Sequence, residues 1–387
     1  MIDLSSINSN LLKSFIDNDF SGHDPFDSLN SKIFNLTPLK YSKIAKLIFT
    51  QLGKRSPINL RNLLLVPKSR NAKGVALIIL GLIENFKISN DDYYLDQAKT
   101  LVDWLILNKC EKKIWSHNCW GYNFEWQARA FNVPKGSPNI VTTYFVSLAI
   151  LKFSEIINNT ELQNQALDSS FFMTKYLLNH NENEMTFNYV PNSKTFVHNA
   201  NLFGAHWCLV AGKIMKNDKM TLISKKATKY TIKNQKKDGS WVYGNKKHHK
   251  WIDGFHTGYN LELLNKINKV LNDDEINSSI KSGYDYYMKN FILDDGTVKY
   301  YNNSLYPLDS HSYSQAILTI LEIDKSNKVI LEKIVNSFIS RMYLFNKKRF
   351  IYQKTKYFKN SINYIRWTQA WAYFSINKYI NFINETN

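Results

Sequence analysis

Cysteine is scarce in this sequence of 387 residues, which contains Cys110, Cys119 and Cys208 and no others. An odd number of cysteines with no Cys-x-x-Cys pair argues against a disulfide framework and against a structural zinc site, and it suits a reducing compartment. The first ten residues, MIDLSSINSN, lack the basic segment and the apolar run of a secretory signal peptide. We therefore expect a cytoplasmic protein.

Long apolar runs and metal-binding motifs are also missing. The longest apolar stretches, such as GVALIILGLI at residues 74–83, are too short for a helix that crosses a bilayer, so no membrane span is expected. No His-x-x-x-His or His-Glu-x-x-His pattern occurs, and the acidic pairs are isolated. The sequence therefore predicts neither a metal site nor a cofactor.

Acidic residues are few beside basic ones, with 32 Asp and Glu against 50 Lys and Arg and a formal net charge of +18. This surplus favours an anionic partner, either nucleic acid, acidic lipid or acidic glycan, unless Lys is simply the preferred surface residue here. Nucleic acid is the least favoured, because the basic residues are dispersed and no recognition motif appears. The sequence does not indicate an oligomeric state.

What the chain does contain is a repeat of about 56 residues. Apolar helical segments begin near Thr142, Asn199, His256, His311 and Trp367, which are 57, 57, 55 and 56 residues apart. More polar amphipathic helices lie between them, and short aromatic turns such as DGSWVYG and DGTVKYY follow those helices. The repeating unit is thus an apolar helix, an amphipathic helix and an aromatic turn.

Six apolar and six amphipathic helices predict an all-α fold, an (α/α)6 toroid with an inner ring of six helices inside an outer ring of six. The sixth apolar helix starts at Asn71. The helix from Tyr41 to Leu52 would be the sixth outer helix, pairing with the last inner helix to close the ring. An open solenoid of the same units is the alternative.

We expect a single toroid domain over residues 41–387, preceded by an extension of residues 1–40 that packs on the ring. The extension includes HDPFDSLNS, which holds Asp24 and Asp27. Together with Arg61 and its neighbours, these residues form either a lid over the ring or a structural ion-pair network.

In such a toroid the N-termini of all six inner helices gather at one mouth, which predicts the place of a site. Helix N-termini and basic side chains attract anions, Arg binds carboxylates through two hydrogen bonds, and Trp and Tyr rings stack on sugar faces. The candidate catalytic residues are His256, His311, Asp253, Asp309 and Tyr259. The candidate substrate-binding residues are Arg129, His198, Asn199, Asn201, Trp120, Tyr122, Trp126, Trp241, Tyr243, Trp251, Gln315, Arg366 and Trp367.

Structural roles compete with these assignments. Asp253 and Asp309 each precede a helix and would serve equally as N-caps. His256 and His311 occupy matching repeat positions, where they are either functional or hydrogen-bonded core residues. His248 and His249, among lysines, are interpreted as part of a solvated loop, together with the rest of GNKKHHKW.

Four stretches, FEWQARAFNVPKGSPNIVTT, VHNANLFGA, DGSWVYG and WIDGFHTGYNLELL, resemble a poorly characterised bacterial family encoded among surface-polysaccharide genes. The resemblance extends from about Asp24 to Ile376 and implies a role in surface-polysaccharide biosynthesis. More distantly, the repeat is similar to six-hairpin glycosidase-like toroids. Those include glycoside hydrolases, polysaccharide lyases, sugar 2-epimerases and the catalytic domain of glucuronyl C5-epimerases.

Three functions follow from the predicted rim. An epimerase or lyase that abstracts a proton from an acidic sugar needs a His or Tyr base and cations for the substrate carboxylate, and the rim offers both. A glycoside hydrolase needs two carboxyl groups about 5–10 Å apart, for which Asp253 and Asp309 are the best pair. A glycan-binding protein without catalysis is the third. The first is favoured, because the rim is poor in Glu.

Overall fold

The computed structural model describes residues 3–128, 132–181, 184–193 and 195–386. Within these ranges the chain is mainly helical, and none of the described helices is long and apolar enough to cross a membrane. The helices are α1 (Leu4–Asp17), α2 (Lys32–Leu36), α3 (Lys43–Arg55), α4 (Ala72–Ser89), α5 (Asp92–Leu107), α6 (Lys112–Trp115), α7 (Ile140–Ile156), α8 (Thr160–Phe172), α9 (His198–Ile214), α10 (Asp218–Lys233), α11 (Gly254–Leu271), α12 (Asp274–Phe291), α13 (Ser310–Ile323), α14 (Lys328–Met342) and α15 (Ala370–Thr386).

Six apolar helices form a closed inner ring. In chain order α4, α7, α9, α11, α13 and α15 each pack against the next, and α15 packs against α4. The helices are apolar on nearly all sides because they are covered on nearly all sides; in α4, every residue from Ala72 to Glu84 is buried. The predicted (α/α)6 toroid is confirmed, and the open solenoid is excluded by the contact of α15 with α4.

The outer ring follows the repeat at five positions and departs from it at the sixth. Helices α5, α8, α10, α12 and α14 each pack against the inner helix that precedes them. The sixth outer helix is α1, which packs against α15: Phe15 meets Tyr373 edge to face at 5.5 Å, and the Asn8 amide donates to Asn377. The prediction that the helix from Tyr41 pairs with the last inner helix was wrong.

That helix, α3, packs instead against the turn at Asp27–Asn30 and against the first short strand of the chain. Both α1 and α3 are amphipathic, so their patterns alone do not distinguish them. The structure does: on α1, Ile7, Leu11 and Phe15 are each at most 3% exposed, whereas the apolar stripe of α3 at Ile44, Ile48 and Leu52 is at least 53% exposed.

Short antiparallel strands occupy several of the predicted aromatic turns. Each is two or three residues long, so they add little to a fold carried by helices. The strands are β1 (Trp126–Gln127) paired with β2 (Asn132–Val133), β3 (Leu178–His180) with β4 (Met185–Phe187), β6 (Tyr343–Leu344) with β7 (Arg349–Phe350), and β8 (Gln353–Lys354) between β5 (Leu308–Asp309) and β9 (Lys359–Asn360).

Two buried ion pairs hold the N-terminal region together and attach it to the ring. Asp24 binds Arg366 through two hydrogen bonds of 2.5 and 2.7 Å, and Asp27 accepts a 2.6 Å hydrogen bond from Arg61. All four side chains are at most 5% exposed. These contacts match a structural ion-pair network, which was one of the two expected roles, and not a lid over the ring. The division of the chain into residues 1–40 and 41–387 remains a prediction.

Candidate functional site

The N-termini of the inner helices enclose a cavity of about 660 Å³ at one end of the ring. The repeat predicts this place, because equivalent positions near the start of each inner helix face the same opening. Ten of the predicted site residues line the cavity: Tyr122, Trp126, Asn199, Tyr243, Trp251, His256, Tyr259, His311, Arg366 and Trp367.

Asp253 and His256 form a dyad at the start of α11. One carboxylate oxygen of Asp253 caps the helix by accepting the backbone N–H of His256 at 2.8 Å, and the other lies 2.7 Å from Nδ1 of the His256 ring. The Asp253 side chain is fully buried, whereas the His256 side chain is 18% exposed and faces the cavity. The carboxylate therefore orients the imidazole and leaves Nε2 for a ligand.

Tyr259 and His311 form a second pair, between neighbouring inner helices. The Tyr259 hydroxyl lies 2.6 Å from Nε2 of His311. Burial raises the pKa of Tyr259 well above its usual value, and burial followed by the charge of Lys73 lowers the pKa of His311 well below its own. Near neutral pH the pair is thus a protonated phenol and a neutral imidazole that share one hydrogen bond.

Aromatic rings form the walls. Tyr243 stacks on Trp251 with 4.3 Å between ring centroids, and the His256 ring lies 4.6 Å from that of Tyr243. On another side, the hydroxyl groups of Tyr122 and Tyr189 are 2.7 Å apart. Flat apolar faces around a few polar groups are typical of sugar-binding sites.

The charged groups of the lining are basic. Lys54 and Arg55 come from α3, and Lys73 from the first turn of α4. Among the described residues that line the cavity there is no Asp or Glu. The lining also includes Arg366, whose Nε and Nη2 both bind Asp24. The cavity is therefore cationic, although Arg366 is already paired.

Lys73 is the most isolated of these basic residues. Its ammonium group lies 4.5 Å from the ring centroid of Phe145, 5.1 Å from Trp371 and 5.7 Å from Tyr259, and the residue is 4% exposed. No described carboxylate lies within salt-bridge distance of the Lys73 ammonium group. The nearby carboxylate, that of Asp24, pairs with Arg366. Burial, then the charge of Arg366, lowers the pKa of Lys73 well below the usual value.

The candidate carboxylates Asp253 and Asp309 lie behind the wall. Asp309 is fully buried; one oxygen accepts the His311 N–H at 2.8 Å, and the other accepts from Gln353 at 2.8 Å. Burial raises the pKa of Asp309 to about 6. Both aspartates are helix N-caps, as expected if their role is structural. The Asp253 carboxylate also contacts the His256 ring, so it has both roles.

Five other candidates are buried away from the cavity and hold the ring together. The Trp120 and Trp241 indoles donate to the backbone oxygens of Leu105 and Thr231, respectively. The remaining three are His198, Asn201 and Gln315. Asn201 donates to Ala227 and Thr231, Gln315 donates to Glu262, and burial lowers the pKa of His198 to about 3. The two tryptophans lie in aromatic turns and the other three residues in inner helices, but none of the five side chains lines the cavity.

Sequence reasoning missed part of the lining and misplaced another part. Lys54 and Arg55 were missed because α3 was assigned to the outer ring. Lys73 was missed because it lies in an apolar helix. His249 was wrongly interpreted as part of a solvated loop, because it is 8% exposed and lines the cavity. His248 is exposed, as expected, although it also lines the cavity. The predicted Arg129 lies outside the described residues.

No group of three or more His, Cys, Asp or Glu side chains suited to a metal ion occurs in the ranges that the structure covers. The three cysteines are free thiols.

No protein-family model matches the sequence, and no curated protein matches it. Solved structures do match in fold. A GH76 alpha-mannanase of Bacteroides thetaiotaomicron is 12% identical, with 82% of this chain and 88% of that chain covered and a TM-score of 0.63. Cellobiose 2-epimerase from Bacillus thermoamylovorans is 12% identical, with 80% and 87% covered and a TM-score of 0.61.

A third structure, the unsaturated glucuronyl hydrolase of Bacillus sp. GL1, is 10% identical, with 97% of this chain and 93% of that chain covered and a TM-score of 0.60. The chain is therefore similar over most of its length to these toroidal proteins. It has the six-hairpin glycosidase-like (α/α)6 fold, as the resemblance in its repeats implies.

Proposed function

We propose that the chain is a carbohydrate-processing enzyme, an epimerase or lyase that abstracts a proton from an acidic sugar. The observation that carries the proposal is the Asp253–His256 dyad, whose free Nε2 belongs to a cavity with a basic lining. A histidine whose Nδ1 is held by a carboxylate is oriented to act as a general base through Nε2. The cations around it suit a substrate that is negatively charged.

The chemistry assigns each group a step. His256 removes the proton from the carbon next to the sugar carboxylate, and the negative charge that develops on that carboxylate is stabilised by a nearby cation such as Lys73. The Tyr259 phenol, hydrogen-bonded to His311, supplies a proton. Reprotonation of the same carbon from the opposite face yields an epimer, whereas loss of the neighbouring glycosidic oxygen yields an unsaturated product.

Hydrolysis by Asp253 and Asp309 is less well supported. A hydrolase needs both carboxyl groups beside the scissile bond, but both of these are buried behind the cavity wall and occupied by hydrogen bonds. The named neighbours comprise an alpha-mannanase, a cellobiose epimerase and a glucuronyl hydrolase, and they support sugar processing without selecting a reaction. A cytoplasmic role in surface-polysaccharide biosynthesis rests on the sequence resemblance.

Incubation with glucuronate-containing oligosaccharides in D2O, followed by NMR, tests the proposal. An epimerase places deuterium at the carbon next to the carboxylate, and a lyase produces a vinylic proton signal. Neutral oligosaccharides of the same length serve as the substrate control, and His256→Asn as the enzyme control. New reducing ends without either signal would show a hydrolase. Saturable binding of acidic oligosaccharides with no turnover of any in the panel would show a binding protein.

A further inference from the structure

The segment of residues 32–65, which includes α2 and α3, exposes eleven large apolar side chains to solvent. Among them, Leu36 is 87% exposed, Tyr41 82% and Ile44 72%. Exposed apolar residues that occur singly need no explanation, but a continuous run of them marks an interaction surface. We call Leu36, Leu39, Tyr41, Ile44, Ile48 and Leu52 the docking face.

The docking face lies beside the mouth of the cavity. Ile44, Ile48 and Leu52 are four residues apart and so share one side of α3. The opposite side packs inward, where Thr50 is buried and Phe49 stacks on Phe34 at 4.5 Å. Next to this exposed stripe on α3 lie three residues that line the cavity, Leu47, Gln51 and Lys54.

The sequence around the docking face is basic, although Lys46 of α3 pairs with Glu125 at 2.6 Å. Residues 28–83 contain ten Lys or Arg and no Asp or Glu. Lys32 and Lys43 are exposed within the same segment, and Lys40 is partly exposed. An exposed apolar stripe bordered by lysines is the pattern of a helix that lies in the interface of a negatively charged membrane. Lys32, Lys40 and Lys43 make no ion pair with a described residue, so they are available to lipid phosphates.

We propose that the docking face binds the surface of an anionic lipid bilayer, with Ile44, Ile48 and Leu52 among the headgroups and the neighbouring lysines against lipid phosphates. A second copy of this face is a poorer partner, because symmetric pairing would bring lysines against lysines. Docking directs the cavity mouth toward the bilayer. On the function proposed above, the sugar that enters is therefore one attached to a membrane lipid.

Sedimentation of the full chain with phosphatidylglycerol vesicles tests the docking face without any sugar, so the result is independent of the catalytic proposal. Binding is expected to be strong at low salt, weak at high salt and absent with phosphatidylcholine vesicles. The triple variant Ile44→Ser, Ile48→Ser, Leu52→Ser should weaken binding at least about tenfold. Lys32→Gln with Lys43→Gln should weaken it and reduce the salt dependence.

The matched control replaces three exposed apolar residues at the far end of the toroid, Ile214→Ser, Val270→Ser and Val329→Ser, which are 41%, 47% and 67% exposed. This variant should bind vesicles like the unmodified chain. Equal weakening in both variants, or no binding to phosphatidylglycerol, overturns the proposal. So does a dimer in light scattering that the docking-face variant converts to a monomer, because the face is then a contact between copies.

Discussion

Asp253 holds His256 twice, through the backbone N–H at 2.8 Å and through ring Nδ1 at 2.7 Å. The same carboxylate therefore starts the helix and fixes the imidazole that faces the cavity. A cap and a catalytic partner are usually considered as competing explanations for an aspartate, but here they are compatible. This double contact determines what mutations of the pair will show.

Replacement of His256 by Asn should lower turnover of an acidic sugar by about 100-fold, the contribution typical of a general base. It should also cost about 1–3 kcal/mol of unfolding free energy, since one buried oxygen of Asp253 loses its partner. Turnover and urea denaturation are measured on the same preparation. A stable variant with full turnover would remove His256 from the mechanism.

Asp253→Asn separates the two roles of the carboxylate. Because Asn caps helices as well as Asp does, the start of α11 should persist. The amide holds the imidazole less firmly than the carboxylate does, so turnover of an acidic sugar should fall by about tenfold or more while the unfolding free energy changes little. Unchanged turnover would show that Asp253 is a cap alone.

Lys73→Met should reduce the affinity for an acidic sugar by about tenfold or more, the range for hydrogen bonds to a charged group. Affinity for a neutral sugar of the same size should stay within about twofold, and this comparison is the control. Calorimetric titration measures both. Equal losses for the two sugars would indicate that Lys73 shapes the cavity without recognising charge.

The lowered pKa of Lys73 also predicts a proton linkage. The groups around its ammonium are the Arg366–Asp24 ion pair, His311 and Tyr259. A bound carboxylate favours the charged amine, so binding should take up a proton and weaken as pH rises through the lowered pKa. Titration in two buffers with different ionisation enthalpies detects this uptake, which Lys73→Met should abolish.

Asp309 should make the folded state less stable as pH rises. Its pKa is about 6 in the folded chain and 3.8 for the free group. Between these values the folded state binds more protons than the unfolded state, so its contribution decreases across that window by at most about 3 kcal/mol. Asp309→Asn should flatten this part of the stability curve, measured by denaturation at a series of pH values.

Asp24→Asn should cost about 3–5 kcal/mol, because it leaves the buried guanidinium of Arg366 without its counter-charge. The matched control is Asp17→Asn, which removes an exposed pair with Lys13 and should cost less than about 1 kcal/mol. Similar small losses in both would show that the N-terminal region contributes little to the ring.

Much of the architecture was predictable because burial leaves a periodic trace. The apolar helices that begin near Asn199, His256 and His311 had to be covered on nearly all sides, so the inner ring followed from the spacing. The site was less predictable. Near a helix start, Asn199 faces the cavity, whereas Asn201 two residues later bonds to the neighbouring helix α10. A shift of one or two residues therefore decides which side chains reach the site.

The sequence by itself determined the repeat, the closed number of helices and the end at which polar and aromatic groups gather. Only the tertiary structure decided that α1 completes the outer ring, that α3 lies at the mouth, and that Lys73 stands among aromatic rings without a carboxylate partner. The physical reason is that amphipathic periodicity tells which face of a helix must be buried. The identity of the covering surface depends on chain segments hundreds of residues apart, such as Asp24 and Arg366.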